Sequence, residues 1–322
     1  MKILSVAALA LVLVLLALSS YLRLDHSGIG CEPWPECYGK IETGQTARSE
    51  APISDTYQRL VLEAQCPGFR ATQWHRLTAS VLGLLVVSMM IIAIVQRRNR
   101  LLVLGLTAVT ISLAILGIYS DGLRNPAVVV GNLIGGFLML GLVAWLVLQP
   151  ARSDRVPWRM TRLVIAVALV FLSLQILIGG LTSANFAATA CPTLPACDGS
   201  WLPGPDLAKA FDLSDTHRVN DAGQAMPRGN ERIEIHKLHR LSAVAVLLAI
   251  VASGLIAIKA GTSSIITAAI LIALVVLEFT IGVAAVTLEL PLSLAVAHNW
   301  LAALLLLVLL KLFADTRARP TA

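Results

Sequence analysis

The sequence predicts an all-α membrane protein with eight transmembrane helices, arranged as two pseudo-symmetric four-helix bundles. Of its 322 residues, 57% are hydrophobic and only 14% are charged, and the mean hydropathy is +0.79. A soluble domain carries about a quarter charged residues, so this composition excludes a cytosolic globular protein and a disordered chain. The apolar residues gather into eight runs, and motifs of the first half recur in the second half. These observations together give the fold class.

Eight apolar runs account for the predicted spans. Each run has about 20 residues, enough to cross a hydrocarbon core of about 30 Å as a helix. In chain order, the predicted spans cover about 3–22, 77–96, 101–120, 127–148, 163–182, 240–258, 264–287 and 292–312. The first run could also be a signal peptide, because Lys2 precedes it and small residues at 17–20 could be cleaved. Its length and the even number of spans favour a retained helix.

Basic residues lie in alternate loops. They cluster at 96–100, at 152–162, at Lys259 and in the tail from Lys311 to Arg319. The intervening loops, 23–74 and 183–238, are long, mixed in charge and contain the cysteines. The positive-inside rule therefore predicts that both termini are cytoplasmic and that the two cysteine loops lie outside. No mitochondrial import signal precedes the first span, so we predict a bacterial inner (plasma) membrane.

The same charge pattern bears on partners. The formal charge is +6, from 25 Lys and Arg against 19 Asp and Glu. A basic chain often binds nucleic acid, but here membrane orientation explains the charge, and the sequence has no nucleic-acid-binding motif. We therefore expect membrane lipid, and not nucleic acid, to contact the protein.

Motifs repeat along the chain at an offset that drifts from 160 to 166 residues. The matched pairs are Cys31–Gly39 with Cys191–Gly199, His75–Ala79 with His239–Ala243, Gly117 with Gly282, Pro126 with Pro291, and Asn132 with His298. An ordered drift of this kind indicates an internal duplication. We therefore predict an N-terminal four-helix half, 1–150, and a C-terminal half, 151–322, related by an axis near the membrane normal.

Histidines mark the candidate cofactor sites. His239 opens the sixth predicted span and His298 lies about two turns into the eighth, so both sit at similar depth. Two inward histidines on facing helices can hold a haem iron. A lone interfacial histidine is more often only hydrogen-bonded, but the repeated His-Arg pair favours ligation, with His75 in the equivalent place of the N-terminal half. Arg76 and Arg240 would pair with haem propionates or anchor the helices at the interface.

Three other histidines are given lesser roles. His236, one turn before His239, is expected to support the site or lie at the surface. His26 and His217 are expected to be solvated in the outer loops.

Four of the five cysteines form two close pairs, Cys31 with Cys37 and Cys191 with Cys197. In an external loop each pair is expected to form a local disulfide. Zinc is a weaker alternative, because the spacing is not the usual one and no histidine partners recur. Cys66 has no counterpart and is expected to be a free thiol or an exchange partner.

Two polar residues lie within predicted spans. Glu278 and Gln175 each stand four residues before a glycine, Gly282 and Gly179. A polar side chain that hydrogen-bonds between helices explains both. A proton or substrate role for Glu278 is the alternative, because charge within a membrane is costly.

These residues together resemble the haem A synthase family of cytochrome oxidase assembly proteins. The resemblance covers nearly the whole chain. It is carried by Arg23–Cys31 with the following Trp-Pro-Glu-Cys-Tyr-Gly segment, the His-Arg pairs, Gly179–Asn185 with Cys191, and the run 199–203.

The resemblance implies a function for each half. It implies a haem b in the C-terminal half with His239 and His298 as axial ligands, and a substrate haem in the N-terminal half with His75 as a ligand. The implied reaction oxidises a methyl group of haem O to the formyl group of haem A. Haem O synthase, oxidase assembly components and an electron donor are the implied partners, and a homo-oligomer is left open.

The N-terminal half departs from the family pattern at two positions. Asn132 stands where the family has its second N-terminal histidine, and Thr72 stands where it has a glutamate three residues before the first histidine. The nearest upstream acid is Glu63. An iron bound by His75 alone would keep an open position that suits oxygen activation, which favours an enzyme. The alternatives are a haem b assembly or electron-transfer protein with a degenerate N-terminal site, and a transporter built on the same repeats.

Overall fold

The computed structural model describes residues 1–26, 67–118, 125–148, 159–197, 199–214, 229–260 and 265–316. Within these ranges the regular secondary structure is helical. The long helices are α1 (Lys2–His26), α2 (Pro67–Gln96), α3 (Arg100–Ile118), α4 (Pro126–Val147), α5 (Arg159–Ala184), α6 (Glu231–Lys259), α7 (Ile265–Thr287) and α8 (Leu292–Asp315). All eight are long and apolar enough to cross a membrane. The predicted fold class is therefore confirmed.

Two helices begin well before the predicted spans. α2 begins at Pro67 and α6 at Glu231, whereas the predicted spans begin at 77 and 240. The added turns are rich in polar and charged residues, which a search for apolar runs leaves out. Proline and acidic residues nevertheless suit a helix N-terminus, where amide groups lack partners and the helix dipole is positive.

The longer helices correct the placement of two histidines. His75 and His239 do not open their helices, because each lies eight residues after the first residue of α2 or α6. Asn132 and His298 likewise each lie six residues after the start of α4 or α8. The duplicated halves thus keep the same helical register at the positions that matter for the site.

Each half is a closed ring of four helices. α1 packs on α2, α2 on α3, α3 on α4 and α4 on α1, and the four C-terminal helices pack in the same cyclic order. The halves meet where α1 contacts α8, where α4 contacts α5, and where α4 contacts α8. An approximate two-fold axis between α4 and α8 would exchange the first two contacts. This is the arrangement expected of two parallel repeats.

The buried core runs through both rings. Its fully buried members include Val12 of α1, Leu140 of α4, Ile165 of α5 and Leu305 of α8. Large apolar side chains also cover the outer helix surfaces, as expected where lipid replaces water. The division predicted at residue 150 falls among residues 149–158, which lie outside the described ranges, so it stays a prediction.

Candidate functional site

A cavity of about 540 Å³ lies within the C-terminal half. Its volume is within the range of about 300–1,000 Å³ that is usual for small-molecule and cofactor sites. α5, α6, α7 and α8 form most of the wall, and α1 and α4 contribute from the other half. The polar side chains in this apolar wall are Arg23, Gln175, Thr182, Ser183, Trp201, His236, His239, Arg240, Glu278, His298 and Asn299.

His239 and His298 face each other across this cavity. Their ring centres are 6.3 Å apart and the ring planes are inclined by 78°. The structure therefore brings together the two histidines that the sequence placed at similar depth on different helices.

Each of the two imidazole rings lies against a polar residue and a glycine of the preceding helix. On α5, Nε2 of Gln175 lies 3.2 Å from Nδ1 of His239 and also donates to the His239 carbonyl at 3.1 Å. Ser242 donates a hydrogen bond to Oε1 of the same amide. One turn further, a Cβ atom on Gly179 would lie 3.3 Å from Cε1 of His239. The glycine thus leaves the space that the imidazole occupies.

α7 repeats this arrangement for His298. Oε1 of Glu278 lies 3.2 Å from Nδ1 of His298, although the geometry is not that of a hydrogen bond. Oε2 of Glu278 is buried and has no hydrogen-bond partner among the described residues. A Cβ atom on Gly282 would lie 3.2 Å from Cε1 of His298. Each ring therefore has a polar side chain on its Nδ1 side, although only the contact of Gln175 with His239 has hydrogen-bond geometry. This placement leaves Nε2 as the nitrogen for a ligand in the cavity.

The residues present fit a haem iron better than a free metal ion. Two bonds of about 2.0 Å from nitrogen to metal, the length found for zinc, plus about 1.1 Å from each nitrogen to its ring centre would separate the ring centres by about 6 Å. The observed 6.3 Å agrees with that value. No group of three or more His, Cys, Asp or Glu residues that could hold a metal ion occurs in the described part of the chain. Two protein ligands suffice for haem, because the tetrapyrrole supplies the rest.

A capping segment, residues 185–214 without 198, closes one end of the cavity. Within it, Cys191 and Cys197 form the predicted disulfide, and Ala188, Leu194, Pro195 and Trp201 line the cavity. This end of the bundle is called the cap end below.

Side chains of α6 hold the capping segment. Arg232 donates to the Phe186 carbonyl at 3.0 Å, and Glu234 accepts a hydrogen bond from the backbone of Gly204. Nδ1 of His236 donates to the Ala187 carbonyl at 2.8 Å. His236 is buried and lines the cavity, so the predicted surface placement is wrong, and its role in supporting the site stays a prediction.

Arg240 also binds the capping segment. Its guanidinium donates to the carbonyl oxygens of Cys191 and Thr193, the latter at 2.6 Å. Its Nε is buried without a hydrogen-bond partner among the described residues. Because carbonyl oxygens do not neutralise the guanidinium, its positive charge remains at the wall of the cavity.

The N-terminal half has a different set of contacts at the equivalent positions. Nε2 of His75 lies 2.8 Å from Oγ of Ser19, and Ser19 occupies the position of Gly179 at the 160-residue offset. Leu15 and Leu113 occupy the positions of Gln175 and Glu278. Neither polar contact of the C-terminal histidines has a counterpart at these positions.

The remaining N-terminal candidates can be placed only in part. Arg76 is exposed on α2, whereas Asn132 and Thr72 are half-buried. Cys31, Cys37, Cys66, Glu63 and His217 lie outside the described residues, as does the side chain of His26. The first disulfide therefore remains a prediction.

Arg23 is a cavity residue that sequence reasoning missed, as is its partner Asn299. Arg23 lies three residues before the end of α1, yet it lines the cavity of the C-terminal half. Its Nη2 donates to Oδ1 of Asn299 at 2.8 Å, and its Nη1 donates to Ser183. The only sequence signal was the position of Arg23 at the start of the first family motif, opposite Ser183 at an offset of 160.

The chain is similar to known proteins over nearly its whole length. Residues 2–310 match the family described as Cytochrome oxidase assembly protein. The chain is 31% identical to a protein of Shewanella oneidensis named Heme A synthase, over 94% of this chain and 92% of the relative. It is 26% identical to a Heme A synthase of Rhizorhabdus wittichii, over 93% of this chain and 89% of that relative.

Proposed function

The chain belongs to the family of cytochrome oxidase assembly proteins, and we propose on this premise that it oxidises the methyl group of haem O to the formyl group of haem A. The match over nearly the whole length supports a role in haem A biosynthesis by a multi-pass membrane protein. The structural observation that carries the proposal is the pair His239 and His298, which face each other across a cavity. A transporter built on these repeats would not need such a pair.

The C-terminal half would hold a resident haem b. His239 and His298 would hold its iron through Nε2, and Arg240 would bind one of its carboxylates. When bound, such a haem transfers single electrons. Gln175 and Glu278 orient the two ligand rings from the Nδ1 side, as polar partners of metal-bound histidines generally do.

The amide of Gln175 also selects the tautomer of His239. With Nε2 of Gln175 at Nδ1, the imidazole carries its proton on its own Nε2. A metal on Nε2 would need the other tautomer, with the proton on Nδ1. The amide would then have to turn so that Oε1 accepts this proton, and the turn would break the hydrogen bond from Gln175 to the His239 carbonyl. Nε2 of the turned amide would then donate to Ser242.

The N-terminal half would receive haem O as substrate, with His75 as an iron ligand. Asn132 and Thr72 offer neither a second histidine nor a carboxylate, so the iron would keep one position open to oxygen. Molecular oxygen would supply the formyl oxygen, and an electron donor outside the chain would reduce the haem b. Haem O synthase and oxidase assembly components are the proposed partners.

The proposed location is a bacterial inner membrane, with both termini in the cytoplasm and the cysteine loops outside. The short basic loops support this orientation through the positive-inside rule. The packing of α1 on α2, α4 and α8 supports retention of the first helix. The proposed halves are residues 1–150 on the substrate side and 151–322 on the haem b side.

A second function is favoured by the contacts of the N-terminal half. His75 is hydrogen-bonded through Nε2 to Ser19, and Leu15, Leu113 and Asn132 replace the residues that build the C-terminal site. A protein in which only the C-terminal half binds haem would serve as a non-catalytic assembly or electron-transfer protein.

Haem extraction with mass detection separates the two functions. The chain would be expressed with a haem O synthase in a host that makes no haem A, alongside a His75→Ala control. The enzyme predicts haem A or a hydroxylated intermediate from the wild type and neither product from the control. Haem b alone, in a folded wild type with haem O present, would establish the non-catalytic function.

A further inference from the structure

The exposed residues that line the C-terminal cavity lie on one side of it. The lining residues supplied by α1, α4, α5 and α8 are all buried or half-buried. Those that are exposed belong to the capping segment, α6 and α7, and they are Leu194, Pro195, Trp201, Val244 and Val283. Exposure toward the cavity interior would be shared by all of the lining elements. In the described part of the chain the cavity therefore has a mouth where α6 and α7 meet the capping segment.

The two valines of the mouth also belong to the outer surface of their helices. Val244 lies three residues after Leu241 and four before Leu248, and both leucines are exposed without lining the cavity. Val283 lies seven residues after Val276, which is likewise exposed and outside the wall. Residues at these spacings share one face of a helix. The lipid-facing surfaces of α6 and α7 thus reach the cavity at the two valines.

α6 and α7 are in close contact below the mouth and face the cavity nearer the cap end. A Cβ atom added to Gly254 would lie 2.7 Å from Cγ1 of Ile272 and 3.3 Å from the carbonyl oxygen of Ala268, so the two helices touch there. Val244 precedes Gly254 by ten residues, which is about 15 Å along a helix. The contact at Gly254 therefore closes the end of the mouth that lies away from the cap.

The side chains around the mouth are apolar, whereas polar side chains lie inside the cavity. An entrance for a ligand from water would not need an apolar rim, but a ligand dissolved in lipid crosses such a rim without leaving apolar surroundings. Trp201 lies at the edge formed by the capping segment, and tryptophan is typical of the boundary between lipid and water. The mouth therefore suits an amphipathic ligand that arrives from the bilayer.

We propose that this mouth between α6 and α7 admits the tetrapyrrole of the C-terminal site sideways from the lipid. The inference rests on the proposed haem site of the C-terminal half. It adds the bilayer as the source of the ligand. It also gives Val244 and Val283 a role in the rate at which the ligand enters and leaves, as distinct from the strength with which it is held.

The test compares the same substitution at two positions of α7. Val283→Trp narrows the mouth, and the matched control Val276→Trp adds the same side chain outside the cavity wall. The full-length chain would be produced without haem in a haem-deficient host and reconstituted in phosphatidylcholine bilayers. Vesicles of the same lipid would then deliver protohaem. The readouts are the rate at which the b-type spectrum forms, the rate of haem loss to protein-free vesicles, and the final haem content.

Val283→Trp is expected to slow uptake and loss of protohaem by the same factor, about tenfold, because a crowded passage raises the barrier in both directions. The spectrum and the final haem content should match the wild type, since equal changes in the two rates leave the affinity unchanged. A double variant, Val244→Ala with Val283→Ala, should speed both rates. Val276→Trp should match the wild type in every readout.

Several results would overturn the inference. Unchanged rates in Val283→Trp, with normal haem content, would mean that the ligand enters elsewhere, for example from water at the capping segment. A changed spectrum or haem content with an unchanged rate of uptake would mean that Val283 shapes the site and not its entrance. If Val283→Trp does not fold, Val244→Trp is compared with Leu248→Trp, and equal rates in these two variants would again contradict the mouth. A wild type that binds no protohaem would instead contradict the proposed haem site itself.

Discussion

The two halves share one helical framework but differ at the residues that surround their histidines. His75 and His239 have the same register in their helices, as do Asn132 and His298. In the C-terminal half these positions carry two facing histidines, each backed by a polar side chain and a glycine. The comparison shows that the two halves keep one helical register while the side chains around their histidines differ.

The two halves differ in which imidazole nitrogen of the histidine is contacted by a neighbouring side chain. In the C-terminal half the contacts of Gln175 and Glu278 go to Nδ1, so Nε2 is left for a ligand. In the N-terminal half Ser19 contacts Nε2 of His75. A ligand that binds this nitrogen must first replace a hydrogen bond with a net contribution of about 0.5–1.5 kcal/mol. Weaker binding of this kind suits a substrate that has to leave.

The largest effect in this series is expected from Gln175→Leu, which gives the C-terminal half the leucine found at position 15. The variant removes the polar partner of Nδ1 of His239, and losses of such partners typically weaken metal binding about 10–100-fold. The rate of haem loss to apomyoglobin measures the change. Ser173→Ala, at an exposed position of α5, is the control, and equal rates for the two variants would remove the role of Gln175.

Gly282 and Gly117 occupy equivalent positions in the two halves, so alanine substitutions there test the difference between the halves more directly. In Gly282→Ala the new methyl group would lie 3.2 Å from Cε1 of His298, and overpacking of this kind costs about 1–3 kcal/mol. Gly117 is its repeat counterpart, and an added Cβ meets nothing within 4 Å there. Gly117→Ala should therefore be neutral or stabilise α3 by up to about 1 kcal/mol.

Thermal unfolding and haem content would be measured for both glycine variants. Gly282→Ala should lower both the unfolding temperature and the haem content. Gly117→Ala should lower neither of them. Similar losses in both variants would mean that the glycines serve general helix packing and not the placement of His298.

The smallest effect is expected from Ser19→Ala. The variant removes the hydrogen bond to Nε2 of His75 and should lower the free energy of unfolding by about 0.5–1.5 kcal/mol. The spectrum of the C-terminal haem should not change, because Ser19 does not line that cavity. A changed spectrum would show that the halves are coupled at this position, and thermal unfolding with absorbance readout would detect both effects.

The sequence predicted those features that depend on local pattern. Apolar runs gave the eight helices, and the drifting offset gave the duplication, because both can be read along the chain. The positions of His239 and His298 near the same end of their predicted spans placed the two histidines at similar depth. The interhelical contact of Gln175 followed from its position four residues before Gly179.

Features that depend on how helices rotate and pack could not be predicted in this way. The reach of Arg23 into the other half requires the contact between α1 and α8, which no local pattern specifies. The hydrogen bond between Ser19 and His75 joins two residues that are 56 positions apart in the sequence. The first turns of α6 were missed because their charged side chains bind the capping segment and thus break the apolar pattern.

The most direct test is the reduced-minus-oxidised visible spectrum of the purified protein and two repeat-matched variants, His298→Ala and Asn132→Ala. The account predicts a low-spin b-type spectrum in the wild type and in Asn132→Ala, and its loss from folded, membrane-inserted His298→Ala. Retention of that spectrum in His298→Ala, or its loss only in Asn132→Ala, would contradict a haem held between His239 and His298.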